Sequence, residues 1–211
     1  MKDKFDELLR DLNSQLKTIK APILNLLKTG ISTTYIDEQI QRLGIKLPED
    51  VYSLYQWHNG TDITVLEDSG TYQFAAPENW LFPLGTFSSI EQSVEIYEFK
   101  VSNKDEYWKR EMFMLFESGG GDYFLIDCDE NSPTYEMIYF YSNTNVDFEV
   151  VVTMYDSLQT LFLTLIDGIK ERTLFYDENK IIQRSYNEHI KICRKNNPKS
   201  EYWNLISYSE L

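Results

Sequence analysis

Apolar residues recur at three- and four-residue spacing through roughly the first sixty positions and alternate with polar ones through much of the rest, so the chain reads as helices followed by strands. Phe5, Leu8, Leu9, Leu12, Leu16 and Ile19 share one face of a helix predicted from about Asp3 to Lys28 and interrupted at Pro22, whose ring removes a donor and crowds the preceding turn. Gly30 ends that segment. Thr33 or Thr34 caps a second helix carrying Tyr35, Ile36, Ile40 and Leu43, with Gly44 just beyond its end. A third helix starts at Pro48, where a fixed φ and a missing N–H suit a helix entry, and Glu49 and Asp50 then occupy the positively polarised first turn. Val51, Leu54, Tyr55 and His58 form its apolar stripe, and Asn59-Gly60 supplies residue types that tolerate a left-handed turn at a helix end.

Past Thr61 the period shortens to that of strands separated by turn residues. Strands are predicted near Ile63 to Leu66, Leu81 to Leu84, Met112 to Phe116, Tyr123 to Asp127, Met137 to Tyr141 and Phe148 to Val152, with a helix near Ile90 to Phe99 between them. Met112 to Phe116 is apolar at every position, as in a central strand covered on both faces. Ser118-Gly119-Gly120-Gly121 permits the positive φ angles of a tight hairpin, so this strand pairs antiparallel with Tyr123 to Asp127. Leu158, Leu161, Phe162, Leu165, Ile166 and Ile169 then mark a closing helix between Asp156 and Arg172, capped by Asp156 or Ser157. Ile181, Ile182, Tyr186, Ile190 and Cys193 suggest a further helix, and Tyr202, Trp203, Leu205, Ile206 and Tyr208 form an aromatic tail that docks back on the domain. The elements amount to an α+β fold: a central antiparallel sheet of about six strands with helices packed against it, N-terminal helices and a C-terminal helical extension.

Several of these segments form a recognisable set. Leu47-Pro48 followed by acidic residues, the aromatic-spaced helix with Trp57, Asn59-Gly60, the strand entry Leu81-Phe82-Pro83-Leu84-Gly85 and the hairpin Gly119-Gly120-Gly121-Asp122 together resemble the SUKH superfamily, the Smi/Knr-type domain, over about Ile36 to Arg172. The resemblance implies a SUKH-like domain over residues 1–172, N-terminal helices included, with an appended segment at 173–211. It also implies that Leu47, Pro48, Trp57, Asn59, Gly60, Pro83 and Gly121 set the fold rather than a specificity. Members are mostly small intracellular domains without catalytic function. Many bacterial ones look like immunity proteins of polymorphic toxin systems, and fungal ones resemble scaffolds of regulatory complexes in cell-wall synthesis.

Composition narrows the options without using that resemblance. With 42% hydrophobic content in 211 residues, the chain can bury one substantial core plus an appendage. It has no apolar run long enough to span a bilayer and no secretory h-region after Met1-Lys2-Asp3-Lys4, which points to the cytoplasm. Cys128 and Cys193 are too few for a disulfide framework and are expected reduced, and a structural zinc site lacks its usual ligand number and spacing. Residues 44–156 hold 5 Lys/Arg against 21 Asp/Glu, a net of −16, whereas residues 172–211 hold 7 against 5, a net of +2. A central field of that sign repels phosphate backbones and attracts cationic proteins; it also serves solubility alone.

Candidate chemistry is sparse. Asp127-Cys128-Asp129-Glu130-Asn131 begins like a calcium loop but places Ser132 where glycine is needed and Ile138 where a bidentate Glu is needed. The glycines at 119–121 precede a strand and lack the Lys-Ser/Thr of a phosphate loop. No Gly-x-Ser-x-Gly elbow is present, and His58 beside Trp57 suits a packed or capping role. Asp122, Asp127, Asp129 and Glu130 around one hairpin end are the only carboxylates that invite an acid–base role, and in so acidic a chain their proximity is expected by chance. The reading that joins composition to resemblance is a non-enzymatic immunity protein, with no cofactor, no nucleic acid and no membrane, that covers a basic toxin domain such as a nuclease or deaminase. The contact face is expected at Asp62, Glu67 and Asp68 after the Asn-Gly turn, at Asp122, Asp129 and Glu130 near the hairpin ends, with exposed Tyr72 or Tyr135 as anchors. A scaffold module, or an enzyme using Asp122, Asp127 and Asp129, are the alternatives; oligomeric state is left open.

Overall fold

A computed structural model describes residues 2–62, 85–142 and 151–206. Helix α1 (Lys2–Thr18) buries Phe5, Leu9, Leu12 and Leu16 on the expected stripe. It stops short of Lys28: Lys20 takes a left-handed φ of 51°, and Pro22 opens a 3-10 turn, Pro22–Asn25. The residues that follow form strand β1 (Leu27–Thr29), paired antiparallel with β2 (His58–Thr61). Helix α2 (Thr33–Ile40) is capped by Ser32 rather than by Thr33 or Thr34, the Ser32 Oγ accepting from Tyr35 N at 3.2 Å. Pro48 is the N-cap of α3 (Glu49–Trp57), which buries Val51, Leu54 and Tyr55 completely.

Asn59-Gly60 does not end α3 with a left-handed turn. His58 is already extended (φ −149°, ψ 144°), and Gly60, at φ 82°, sits inside β2. The demand on Gly60 is long-range, because a Cβ there would stand 2.5 Å from the backbone nitrogen of Ser89. Asn59 uses the same close approach as a clasp: its Oδ1 accepts from Ile90 N at 2.9 Å and its Nδ2 donates to Glu91 Oε2 at 3.1 Å. Tyr35 OH donates to the other oxygen of Glu91 at 2.8 Å. Burial would raise the Glu91 carboxyl, but hydrogen bonds from its own backbone N–H, Ser89, Tyr35 and Asn59 outweigh it and hold the group below its ordinary range. The clasp thus fixes where α4 (Ile90–Ser102) begins against β2.

The central sheet has five antiparallel strands in chain order: β3 (Thr86–Phe87), β4 (Met112–Glu117), β5 (Tyr123–Asp127), β6 (Ile138–Tyr141) and β7 (Val151–Tyr155). Every residue from Met112 to Phe116 is buried, as its apolar run implies. Phe113, Phe124, Ile126, Ile138 and Met154 enter the main core shared with α1, α3 and α5 (Leu158–Lys170). Met112, Met114, Leu125, Tyr139 and Tyr141 form a second cluster on the opposite face with Trp108. Gly119 (φ 73°) and Gly121 (φ 94°) make the β4–β5 hairpin as expected. The strands expected near Ile63 to Leu66 and Leu81 to Leu84, Pro83 among them, and the start expected at Phe148 lie outside the described residues, as does Tyr208.

Helix α5 opens on a capping box in which the Ser157 Oγ accepts from Thr160 N and Thr160 Oγ1 accepts from Ser157 N. Ile181 and Ile182, read from sequence as helical, instead belong to a hairpin of β8 (Leu174–Tyr176) and β9 (Ile182–Arg184); the helix α6 runs Tyr186–Asn196. The tail docks through α7 (Glu201–Leu205): Trp203 is buried edge-on to Tyr155, and Glu201 Oε2 accepts from Thr153 N at 3.1 Å along the outer edge of β7. Cys128 and Cys193 are free and buried. No helix among the described residues is long and apolar enough to cross a membrane.

Candidate functional site

Two loops meet at one end of the sheet. The segment between α2 and α3 carries Ile45 and Lys46, and the connection from β5 to β6 carries Asp129, Glu130, Tyr135 and Glu136. The second loop is shaped by its own carboxylates: Asp127 Oδ1 accepts from Asp129 N and Asp129 Oδ1 from Asn131 N, each at 2.9 Å, while Asp127 Oδ2 accepts from Thr134 Oγ1 at 2.8 Å. Acidic residues that begin like a calcium loop therefore act as turn caps. That shape brings Glu130 Oε1 within 2.6 Å of Lys46 Nζ, a pair with 77% and 55% of its side chains exposed. An ion pair so open to water contributes little to stability, so its charges are available to a partner.

Further carboxylates gather around it. The Glu130 carboxylate raises the Lys46 ammonium and the charge of Glu49, at the start of α3, adds to it, while burial together with Asp50 and Glu49 raises the Glu136 carboxyl. Burial, with Glu136, Glu130 and Glu49 adding to it, pushes the Tyr135 phenol up to about 12. Tyr135 is half-buried rather than exposed as the sequence suggested, so it supplies a supported edge and not a free knob. Ile45 and Lys46 also line a shallow, open groove of about 500 Å³ that runs between α2 and α3 past Asp37, Glu38 and Tyr52. A smaller one, about 220 Å³, lies between Lys46, Arg110, Glu111, Asp129 and Glu130. Asp37, Glu38, Asp129 and Glu130 thus lie around Lys46, with Arg110 and Glu111 beside them and Glu49 close enough to act on the lysine.

The structure divides the expected contact residues. Asp129, Glu130 and Tyr135 lie on this face. Asp122 lies at the β4–β5 turn, at the far end of β5, and at about 3.3 Å per residue the strand sets it on the order of 20 Å from Asp129. Asp122 and Asp127 therefore do not meet at one hairpin end. Asp62 follows β2, its N–H bonded to Leu26 O, and Glu67, Asp68 and Tyr72 lie outside the described residues. Asp37, Glu38 and Tyr52 were not singled out from sequence. Asp37 and Glu38 read as acidic residues in the early turn of α2 and Tyr52 lies off the apolar stripe of α3, signals that ordinary solvated surface carries equally.

Nucleophile chemistry finds no support in the remaining candidates. His189 and Cys193 stand four residues apart on α6, but burial lowers the imidazole to about 3 and raises the thiol to about 12, the reverse of a thiolate–imidazolium pair. His189 Nδ1 lies 3.2 Å from Thr173 Oγ1, and His58 Nδ1 lies 2.7 Å from Lys28 O. Both imidazoles are thus committed to holding chain segments together. Among the described residues no three His, Cys, Asp or Glu side chains are grouped to hold a metal ion.

Comparison with known families finds that the sequence model of the SMI1 / KNR4 family (SUKH-1) matches residues 30–164. The match starts at the turn before α2 and ends within α5, so it takes in β2, the clasp, the whole sheet and both loops of the acidic face. No curated protein matches the chain.

Proposed function

We infer the function from one premise: the chain belongs to the SMI1 / KNR4 family (SUKH-1). The family suggests a protein partner, and many bacterial proteins of the superfamily look like immunity proteins. We propose that this chain is such a protein, a stoichiometric inhibitor that binds the catalytic domain of a cognate polymorphic toxin in the cytoplasm and makes or breaks no bond itself. The observation that carries the reading is the acidic surface around Lys46, where Asp37, Glu38, Asp129 and Glu130 outnumber the cations Lys46 and Arg110. A toxin that handles nucleic acid needs a positive groove. A preformed negative face is steered to that groove and takes the place of phosphates without paying to order itself.

Co-expression tests this directly. The C-terminal domain encoded by the gene beside this one is induced in a host with or without this chain. The expected result is arrested growth without the chain, rescue with it, and a one-to-one complex whose association slows as salt rises. A toxic domain that the chain neither binds nor neutralises contradicts the reading.

A further inference from the structure

The groove between α2 and α3 differs from the rest of the acidic face in having an apolar floor. Ile40 is buried beneath it, while Ile45 and the ring of Tyr52 are half-buried along its wall. Tyr52 OH donates to Asp37 Oδ1 at 2.7 Å, which fixes the carboxylate at the hydroxyl edge of the ring; burial and that bond raise the phenol to about 12, so it stays a donor. Among the described residues no lysine or arginine pairs with Asp37 or Glu38. Lys46, which lines the groove, is paired with Glu130, and Arg42 with Glu98. The groove therefore presents two carboxylates without an ion-pair partner beside an aromatic and aliphatic surface, with the Glu130-bound Lys46 at its rim.

That pairing matches one side chain better than any other. An arginine lays its aliphatic stem along apolar surface, stacks its planar guanidinium on a tyrosine ring and donates a fork of N–H groups to a carboxylate, whereas the strongly hydrated lysine ammonium matches only the charge. We propose that the α2–α3 groove is an arginine-accepting pocket, with Asp37 and Glu38 as acceptors and Tyr52 as the stacking platform, filled by an arginine on the surface of the basic protein partner. The identity of that occupant as a partner's arginine rests on the immunity reading; the affinity of the groove for a guanidinium does not.

The test titrates L-argininamide, with L-lysinamide in parallel, into the full ¹⁵N-labelled chain at low salt and follows amide shifts. Saturable shifts are expected at Thr34–Gln41, Ile45 and Tyr52, with lysinamide binding several-fold more weakly, and Asp37→Asn with Glu38→Gln should weaken argininamide by about tenfold. The control variant Glu178→Gln with Glu188→Gln, far along the chain in the C-terminal segment, should leave the titration unchanged. Absent or evenly spread shifts, equal binding of lysinamide, or equal loss in the control overturns the pocket. The same Asp37/Glu38 variant is then mixed with the domain encoded beside this gene. Undiminished binding of that domain removes the arginine contact and leaves the immunity reading intact; a saturable groove with no binding of that domain by the native chain removes the immunity reading and leaves the pocket.

Discussion

The clasp between β2 and α4 and the acidic face around Lys46 are both built from polar side chains on the same domain, yet they use them in opposite ways. In the clasp, buried Asn59 and half-buried Glu91 share a closed set of partners, Asn59 bonding Ile90 N and both Glu91 oxygens while Tyr35 adds a further donor to Glu91. On the face, Glu130 and Lys46 are open to water, and Asp37 and Glu38 have no cation among the described residues. A buried polar group without its partner costs its full desolvation, while an exposed one costs almost nothing. The contrast separates the part of the sequence that holds the fold from the part free to define a partner.

The contrast is broken most severely at Gly60. Gly60→Ala puts a methyl group against the Ser88–Ser89 backbone at a positive φ, and a loss of about 3 kcal/mol or more is expected in denaturant unfolding. Next comes His189, a buried polar group of the C-terminal segment. Its imidazole titrates at about 3 when folded against 6.5 when unfolded, so below 6.5 the unfolded chain takes up a proton that the folded chain refuses. Stability should therefore fall as pH drops through that window, by up to about 1.4 kcal/mol per pH unit, and His189→Gln should flatten the slope. Asn59→Ala leaves Ile90 N–H without its acceptor and removes two bonds from Glu91; about 2 kcal/mol is expected in the same unfolding assay. The smallest effect sharpens the comparison from the other side. Glu130→Gln with Glu49→Gln should leave the melting temperature unchanged while slowing association with a basic protein and reducing its salt dependence.

Legibility in the sequence follows the same division. Helix α5 and the β4–β5 hairpin were readable because their determinants are local: Ser157 with Thr160 in one case, Gly119 to Gly121 in the other. Asn59-Gly60 was readable as a fixed motif but not for its reason, since Gly60 is constrained by backbone at Ser88 and Ser89, distant in sequence. Strands β1, β3, β8 and β9 run two or three residues each, too short to carry a period. On the acidic face, Glu130 and Tyr135 stood out as acidic and aromatic neighbours in one loop. Asp37, Glu38 and Tyr52 became visible only when α2 packed beside α3 and turned two solvated stretches into the walls of a groove.

Hydrogen exchange on the complex tests the assignment of the face most directly. The full chain is bound to the domain encoded beside its gene, and amide protection is compared with that of the free chain. Added protection is expected at residues 34–46 and 128–136, on the two loops that meet at Lys46 and Glu130. Protection that leaves those loops unchanged and falls instead on the β4–β5 turn at Asp122 or on the C-terminal segment beyond Arg172 would place the partner elsewhere and contradict the account.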